Sequence, residues 1–311
     1  MAHDIENIAL CVKQGDEQFA VPLISYIRNG AVYSNRSTKT ALDHVGVREK
    51  GTQGRSSTTS FEGFWIGPKF PANVPISAGV CMTLDTVSLF KFLKRLKANN
   101  TKEFMDDNRK TYTELRTEFI DFVSEVLAGL AKFDTSVANV TAKSCLFRIN
   151  RDIRFSTNKD LYKTCFSAFL AKGGTKGGWP GYYVHIEPGN KSMLAGGIYM
   201  PPPPVLAGLR ADIAARHREL SKIAESRSFS ATWGAIEGDS LKTAPKGYAA
   251  DHPAIEWLRL KSYTVAQTLP DSDLRKGLDP AAVIKDFRTL FPLNAFLGQA
   301  VRSLPGSPQR R

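Results

Sequence analysis

Leu146-Phe-Arg-Ile-Asn-Arg-Asp-Ile-Arg-Phe155 is the stretch where the apolar pattern changes period. Phe147, Ile149, Ile153 and Phe155 alternate with Arg148, Asn150, Asp152 and Arg154. That period of two is what a half-covered strand requires. Upstream the period is helical. Leu89, Phe92, Leu93 and Leu96 recur at three and four, and Asn99-Asn100 stops that helix. A longer run of Phe104, Tyr112, Leu115, Phe119, Phe122, Val126 and Leu130 gives one apolar stripe of roughly eight turns.

Downstream, Ser156-Thr-Asn-Lys-Asp160 reads as a turn, and Tyr162 to Leu170 as a second strand, with a helix left open by Ala168. Tyr182-Tyr-Val-His-Ile-Glu187 is a third strand and Met193 to Met200 a fourth, separated by the Pro188-Gly189 turn. Such short connections favour an antiparallel meander. Pro201 to Pro204 break the last strand and open a helix carrying Leu206, Leu209, Ile213 and Leu220. Another helix is expected from near Asp251-His-Pro253, carrying Ile255 and Leu258, with Leu260 left open. A final one starts at Pro280 and carries Val283, Ile284, Phe287 and Leu290. The expected fold class is therefore α+β: an antiparallel sheet, about a four-stranded meander, with helices before and after it packed on one face.

Within 311 residues, 42% are hydrophobic and 23% charged, which excludes a fibre or a wholly disordered chain. No window holds the ~18 consecutive apolar residues of a membrane helix, so no membrane partner is expected. Asp4, Glu6, Lys13, Asp16 and Glu17 leave no apolar core for a secretory signal, and the expected location is cytoplasmic. Residues 1–81 show no sustained period and contain the polar run Gly51 to Ser60. They are expected to be a disordered or extraneous extension, with one short strand at Phe19 to Ile24. Residues 82–300 form the domain, and 301–311 a flexible tail. The segment before Met82 holds eight Lys/Arg and seven Asp/Glu, so the rest carries almost all of the net charge of +12. That excess points to anionic partners without choosing among them.

The arginine-rich stretch also carries a resemblance. Arg148-Ile-Asn-Arg151-Asp152-Ile-Arg154-Phe155-Ser-Thr-Asn158-Lys159-Asp-Leu-Tyr162-Lys163 is similar to the hallmark R-x-x-R-D-x-R-F-x-x-[DN]-K-x-x-Y of the bacterial and fungal family called domain of unknown function 2461. Gly181-Tyr-Tyr-Val-His185-Ile-Glu187-Pro188-Gly189, Gly196-Gly197-Ile-Tyr-Met-Pro201 and blocks near Pro245, Asp251, Leu258 and Pro292 resemble its later motifs. The resemblance spans about residues 84–300. It implies a fold unit and a site, and no reaction.

On the strand reading, Arg151 falls among the apolar residues, where a guanidinium needs an acid, so it is expected to make a structural ion pair. Asp152 can orient Arg154. Arg148, Arg154, Lys159, Tyr162 and Lys163 are the candidate ligand-binding residues, forming a cradle for one compact phosphate or carboxylate. A solvated charge ladder is the alternative. Gly196 and Gly197 could leave room over the fourth strand. His185, Glu187 and Asp152 are the candidates for acid–base catalysis should the protein be an enzyme. His185 and Glu187 could also bind a metal, but His217 and His252 stand at no recognisable ligand spacing, so no metal site is assigned. The four cysteines form no C-x-x-C pair and are read as inert thiols. No cofactor is implied. Two function classes follow: a binding domain for a small anionic ligand, with nucleic acid kept open, and an enzyme on a phosphorylated or carboxylated substrate. A purely structural protein is the third.

Overall fold

The computed structural model describes residues 83–154 and 156–303, and the backbone of four short strands before them. Those strands are β1 (Ile8–Gln14), β2 (Glu17–Leu23), β3 (Ser25–Arg28) and β4 (Ala31–Ser34), paired as two antiparallel hairpins. The stretch from Phe19 read as a strand lies largely in β2. The chain divides into two units, Met1–Ala78 and Gly79–Arg311. The remainder of residues 1–82, with Phe155 and 304–311, lies outside the described residues.

The second unit is α+β, as the periods predict. Helix α1 (Thr86–Ala98) starts at Asp85, whose side chain accepts the Ser88 N–H at 3.0 Å. The long amphipathic run is two helices, α2 (Lys102–Asp107) and α3 (Arg109–Leu130). The break falls at Asn108, whose side-chain amide donates to the Phe104 carbonyl at 2.8 Å. Asn favours such local bonds over a continuing helix. A single turn, α4 (Ala142–Cys145), leads to the sheet.

The sheet has four antiparallel strands in the order β5 (Phe166–Ala171), β6 (Gly181–Ile186), β7 (Ser192–Ile198) and β8 (Tyr263–Leu269). β5 to β7 are the expected meander. The arginine-rich stretch, expected as the first strand of the meander, is not in the sheet; the remaining strand is β8, which returns after helices α5 (Pro203–Ala224), α6 (Arg227–Trp233) and α7 (Ile255–Leu258). Helix α8 (Pro280–Arg302) closes the unit and extends two residues into the expected tail.

One face of the sheet is covered. Phe166, Ala168, Leu170, Tyr182, Val184, Leu194 and Val265 are buried on it. Phe287 of α8 packs against Tyr182 at a centroid distance of 5.1 Å and stacks on Trp233 at 6.2 Å. Asn294 donates to the Gly181 carbonyl at 3.1 Å. The two glycines expected to leave room for a ligand serve packing. A Cβ on Gly196 would lie 2.3 Å from a Leu290 methyl, and one on Gly197, at φ +103°, would lie 2.0 Å from the Tyr263 carbonyl oxygen. On the opposite face Phe169, Tyr183, His185, Met193 and Ala195 are half-buried and Ala266 is exposed. Among the described residues this face stays open.

Candidate functional site

The arginine-rich stretch is not a regular strand. Residues 147–151 run antiparallel to 161–167 through three backbone bonds: Phe147 N–H to Ser167, Lys163 N–H to Ile149, and Arg151 N–H to Leu161. Isolated bridges join Leu146 to Ala168 and Asn150 to Tyr162. The alternation breaks accordingly: Ile149 is buried, but Phe147 is 41% exposed. Two causes are visible. Asn100, beside α1, takes both backbone groups of Tyr162, accepting its N–H at 2.9 Å and donating to its carbonyl at 3.0 Å. Beyond Arg151 the short polar side chains bond the backbone in place of a ladder. Asp152 accepts the Arg154 N–H at 3.3 Å and Asn158 accepts the Asp160 N–H at 2.8 Å.

The loop thus formed ties up most of its own cations. Arg154 holds Asp152 bidentately, at 3.0 Å through Nε and 2.7 Å through Nη2. These bonds hold the Asp152 carboxyl below its ordinary range. Asp152 therefore clamps Arg154. Arg151 is half-buried and meets Asp160 at 3.8 Å and the Ser156 hydroxyl at 3.4 Å, both in its own loop and not on a helix. Lys159 donates to the Ile153 carbonyl at 3.2 Å. Tyr162 is buried. Arg148 is exposed and, among the described residues, makes no hydrogen bond or ion pair, its charge reaching Asp152 through space.

Lys163 leads from the loop to the open sheet face. Its Nζ lies 5.3 Å from the centre of the Phe147 ring, and Phe147 meets Tyr183 edge-on at 6.2 Å. Tyr183 and His185 are residues two apart on β6 and share that face. The Tyr183 hydroxyl lies 2.9 Å from His185 Nδ1, and His185 Nε2 lies 3.0 Å from Glu187 Oε2. The other carboxylate oxygen of Glu187 accepts from the Thr164 hydroxyl at 3.2 Å, with Lys191 Nζ at 3.6 Å. The side chains of His185 and Glu187 are only 14% and 17% exposed.

Cys165 is the residue that the sequence reading left aside. Phe166 pairs with Ile186, which sets Cys165 across from Glu187 on the same face as His185. Donor atoms of Cys165, His185 and Glu187 all lie within 4.8 Å of one another. Among the described residues the other histidines supply no third metal-type ligand. His217 and His252 instead pack against each other at 5.8 Å. Parity from His185 and Glu187 would have identified Cys165, but only with the β5–β6 register in hand. Burial, with the Glu187 charge beside it, pushes the Cys165 thiol up to about 11. Both nitrogens of His185 are already engaged. The thiol is therefore not activated as a nucleophile.

No helix among the described residues is long and apolar enough to cross a membrane. No curated protein and no solved structure matches the chain. One family does, described as "Conserved hypothetical protein (DUF2461)", over residues 88–296. That span includes the arginine-rich loop, the whole sheet and the Tyr183–His185–Glu187 row, so the chain belongs to the DUF2461 family.

Proposed function

We propose that the protein is a binding domain for a compact anionic ligand carrying a phosphate or carboxylate. The ligand sits where the arginine-rich loop meets the open sheet face. The observation that carries this reading is the run of contacts Lys163–Phe147–Tyr183–His185. It joins the cationic loop to a half-buried row of hydrogen-bonding groups. Arg151, Arg154 and Lys159 brace the loop, which leaves Arg148 and Lys163 as the cations that meet the ligand. Asp152 and Asp160 lie among them and would repel a continuous phosphate backbone, which favours one small anion over a polynucleotide.

Titration of the full chain with inorganic phosphate, a sugar phosphate and a dicarboxylate, beside single-stranded DNA, tests this at several salt concentrations. Saturable binding of a small anion is expected, weakened about tenfold or more by Arg148→Ala and by Lys163→Ala, a change of about 1.4 kcal/mol each. DNA binding with a log–log salt slope steeper than about −4, and no small-anion binding, overturns the reading. So does failure of every probe to bind. The imidazole–carboxylate pair at 3.0 Å favours one second reading, an enzyme acting on the same ligand with His185 and Glu187 moving a proton.

A further inference from the structure

We propose that Cys165, His185 and Glu187 form a three-ligand site for one thiophilic divalent cation of the zinc class, with a fourth position open to water or to an incoming ligand. This goes beyond the anion reading and stands without it.

The backbone makes the arrangement. Cys165 and Glu187 extend the β5–β6 register by one step beyond the Phe166–Ile186 pair, and His185 precedes Glu187 by two residues on the same face. Cross-strand neighbours have Cβ atoms about 5 Å apart and residues two apart on a strand about 7 Å. Three side chains so placed can converge on one point above the sheet.

The donor atoms lie on the scale that a tetrahedral ion needs. Bonds of about 2.0–2.3 Å to nitrogen, oxygen and sulfur separate neighbouring ligand atoms by about 3.3–3.7 Å. His185 Nε2 and Glu187 Oε2 are 3.0 Å apart, and no pair in the set exceeds 4.8 Å. Small side-chain rotations open the first distance and close the others around an ion. Sulfur with imidazole and one carboxylate oxygen selects zinc-like ions over calcium or magnesium, which require oxygen.

The surrounding bonds favour the same geometry. On each of two ligands, the second donor atom has its own partner. His185 Nδ1 meets the Tyr183 hydroxyl, and Glu187 Oε1 meets Thr164 and Lys191. Nε2 and Oε2 are left facing each other, with the Cys165 sulfur in the same cluster. Outer partners of this kind orient ligands in metal sites. Three protein ligands at a half-buried position on an open face leave one coordination position for solvent, as in sites that bind or activate a ligand.

The test uses the reduced, chelator-treated full chain, titrated with Zn2+ and with Co2+ as the spectroscopic probe. The expected result is saturation at about one equivalent, with a sulfur-to-cobalt charge-transfer band and the strong visible bands of tetrahedral Co2+. Cys165→Ser removes the charge-transfer band. Glu187→Gln weakens binding at least tenfold, and Tyr183→Phe, which leaves all three ligands in place, weakens it about 10–100-fold. Cys145→Ser, at the buried thiol of α4, leaves the band unchanged. No stoichiometric binding by the folded protein overturns the site, as does a charge-transfer band that survives Cys165→Ser. Phosphate and DNA are absent from this titration, so its failure leaves the anion reading standing, and the converse also holds.

Discussion

The same strands present two faces that obey different rules. On the covered face two polar groups of β6 meet partners inside the unit. The Tyr182 hydroxyl donates to Asp134 at 2.8 Å, and the Gly181 carbonyl accepts from Asn294. On the open face Tyr183, His185 and Glu187 bond one another in a row, within reach of solvent. Tyr182 and Tyr183 are adjacent in sequence, yet one is part of the core and the other heads the candidate site. Alternation along β6 sets this difference, and helix α8 fixes which parity is covered.

The largest effect is expected where α8 seals the covered face. Phe287 is fully buried between Tyr182 and Trp233, and Phe287→Ala should cost about 3–5 kcal/mol. Urea unfolding reads this directly. A loss under about 1 kcal/mol would mean that α8 does not define the covered side. Gly197→Ala comes next. It places a methyl at φ +103° against the Tyr263 carbonyl and should cost about 3 kcal/mol through backbone strain and overpacking. A stability near that of the parent chain would show β7 and β8 free to separate there.

Tyr182→Phe sharpens the contrast between the adjacent tyrosines. It leaves buried Asp134 without its phenol donor and should cost about 2 kcal/mol at neutral pH. It also changes the alkaline limb. Burial, with the Asp134 charge beside it, pushes the Tyr182 phenol well above its ordinary value of 10.0. The folded protein then holds that proton more tightly than the unfolded chain. This contribution is whole below about pH 10 and is lost progressively as the pH rises beyond it. Unfolding midpoints followed from pH 8 to 11 should fall less steeply in Tyr182→Phe than in the parent. Equal slopes would count against a buried, protonated Tyr182.

The helices and the β5–β7 meander were legible because their apolar residues repeat at clean periods. Pro203 and Pro280 sit in the first turn of their helices, where proline belongs. Two elements misled. The arginine-rich stretch alternates as a strand does, but Asn100, distant in sequence, claims the backbone of Tyr162, and local Asp and Asn bonds do the rest. No periodicity count contains that competition. β8 escaped notice although Tyr263 and Val265 alternate with Thr264, because it follows a long irregular segment and a single helical turn. His185 and Glu187 were readable as a pair from spacing of two. Cys165 was not, because its position opposite Glu187 depends on register across a glycine-rich loop. In sequence Gly196 and Gly197 suggest space for a ligand; in the fold that space belongs to Leu290 and the β8 backbone.

The smallest expected effect lies on the open face and tests the comparison from its other side. His185→Ala removes a half-buried ring that bonds both Tyr183 and Glu187. The loss of a buried partner often costs 3 kcal/mol or more. Here the neighbours keep alternatives. Glu187 retains the Thr164 hydroxyl and Lys191, and its backbone N–H still donates to Ser192 at 3.0 Å. The Tyr183 hydroxyl lies at a surface that water can reach once the ring is gone. The expected loss is therefore about 1 kcal/mol, the ordinary worth of a replaceable hydrogen bond. Urea unfolding of His185→Ala beside Tyr182→Phe decides it. A loss from His185→Ala equal to or larger than that from Tyr182→Phe would mean that the polar row is a structural element as deeply embedded as the core, and that the division of the sheet into a covered face and a ligand-ready face is wrong.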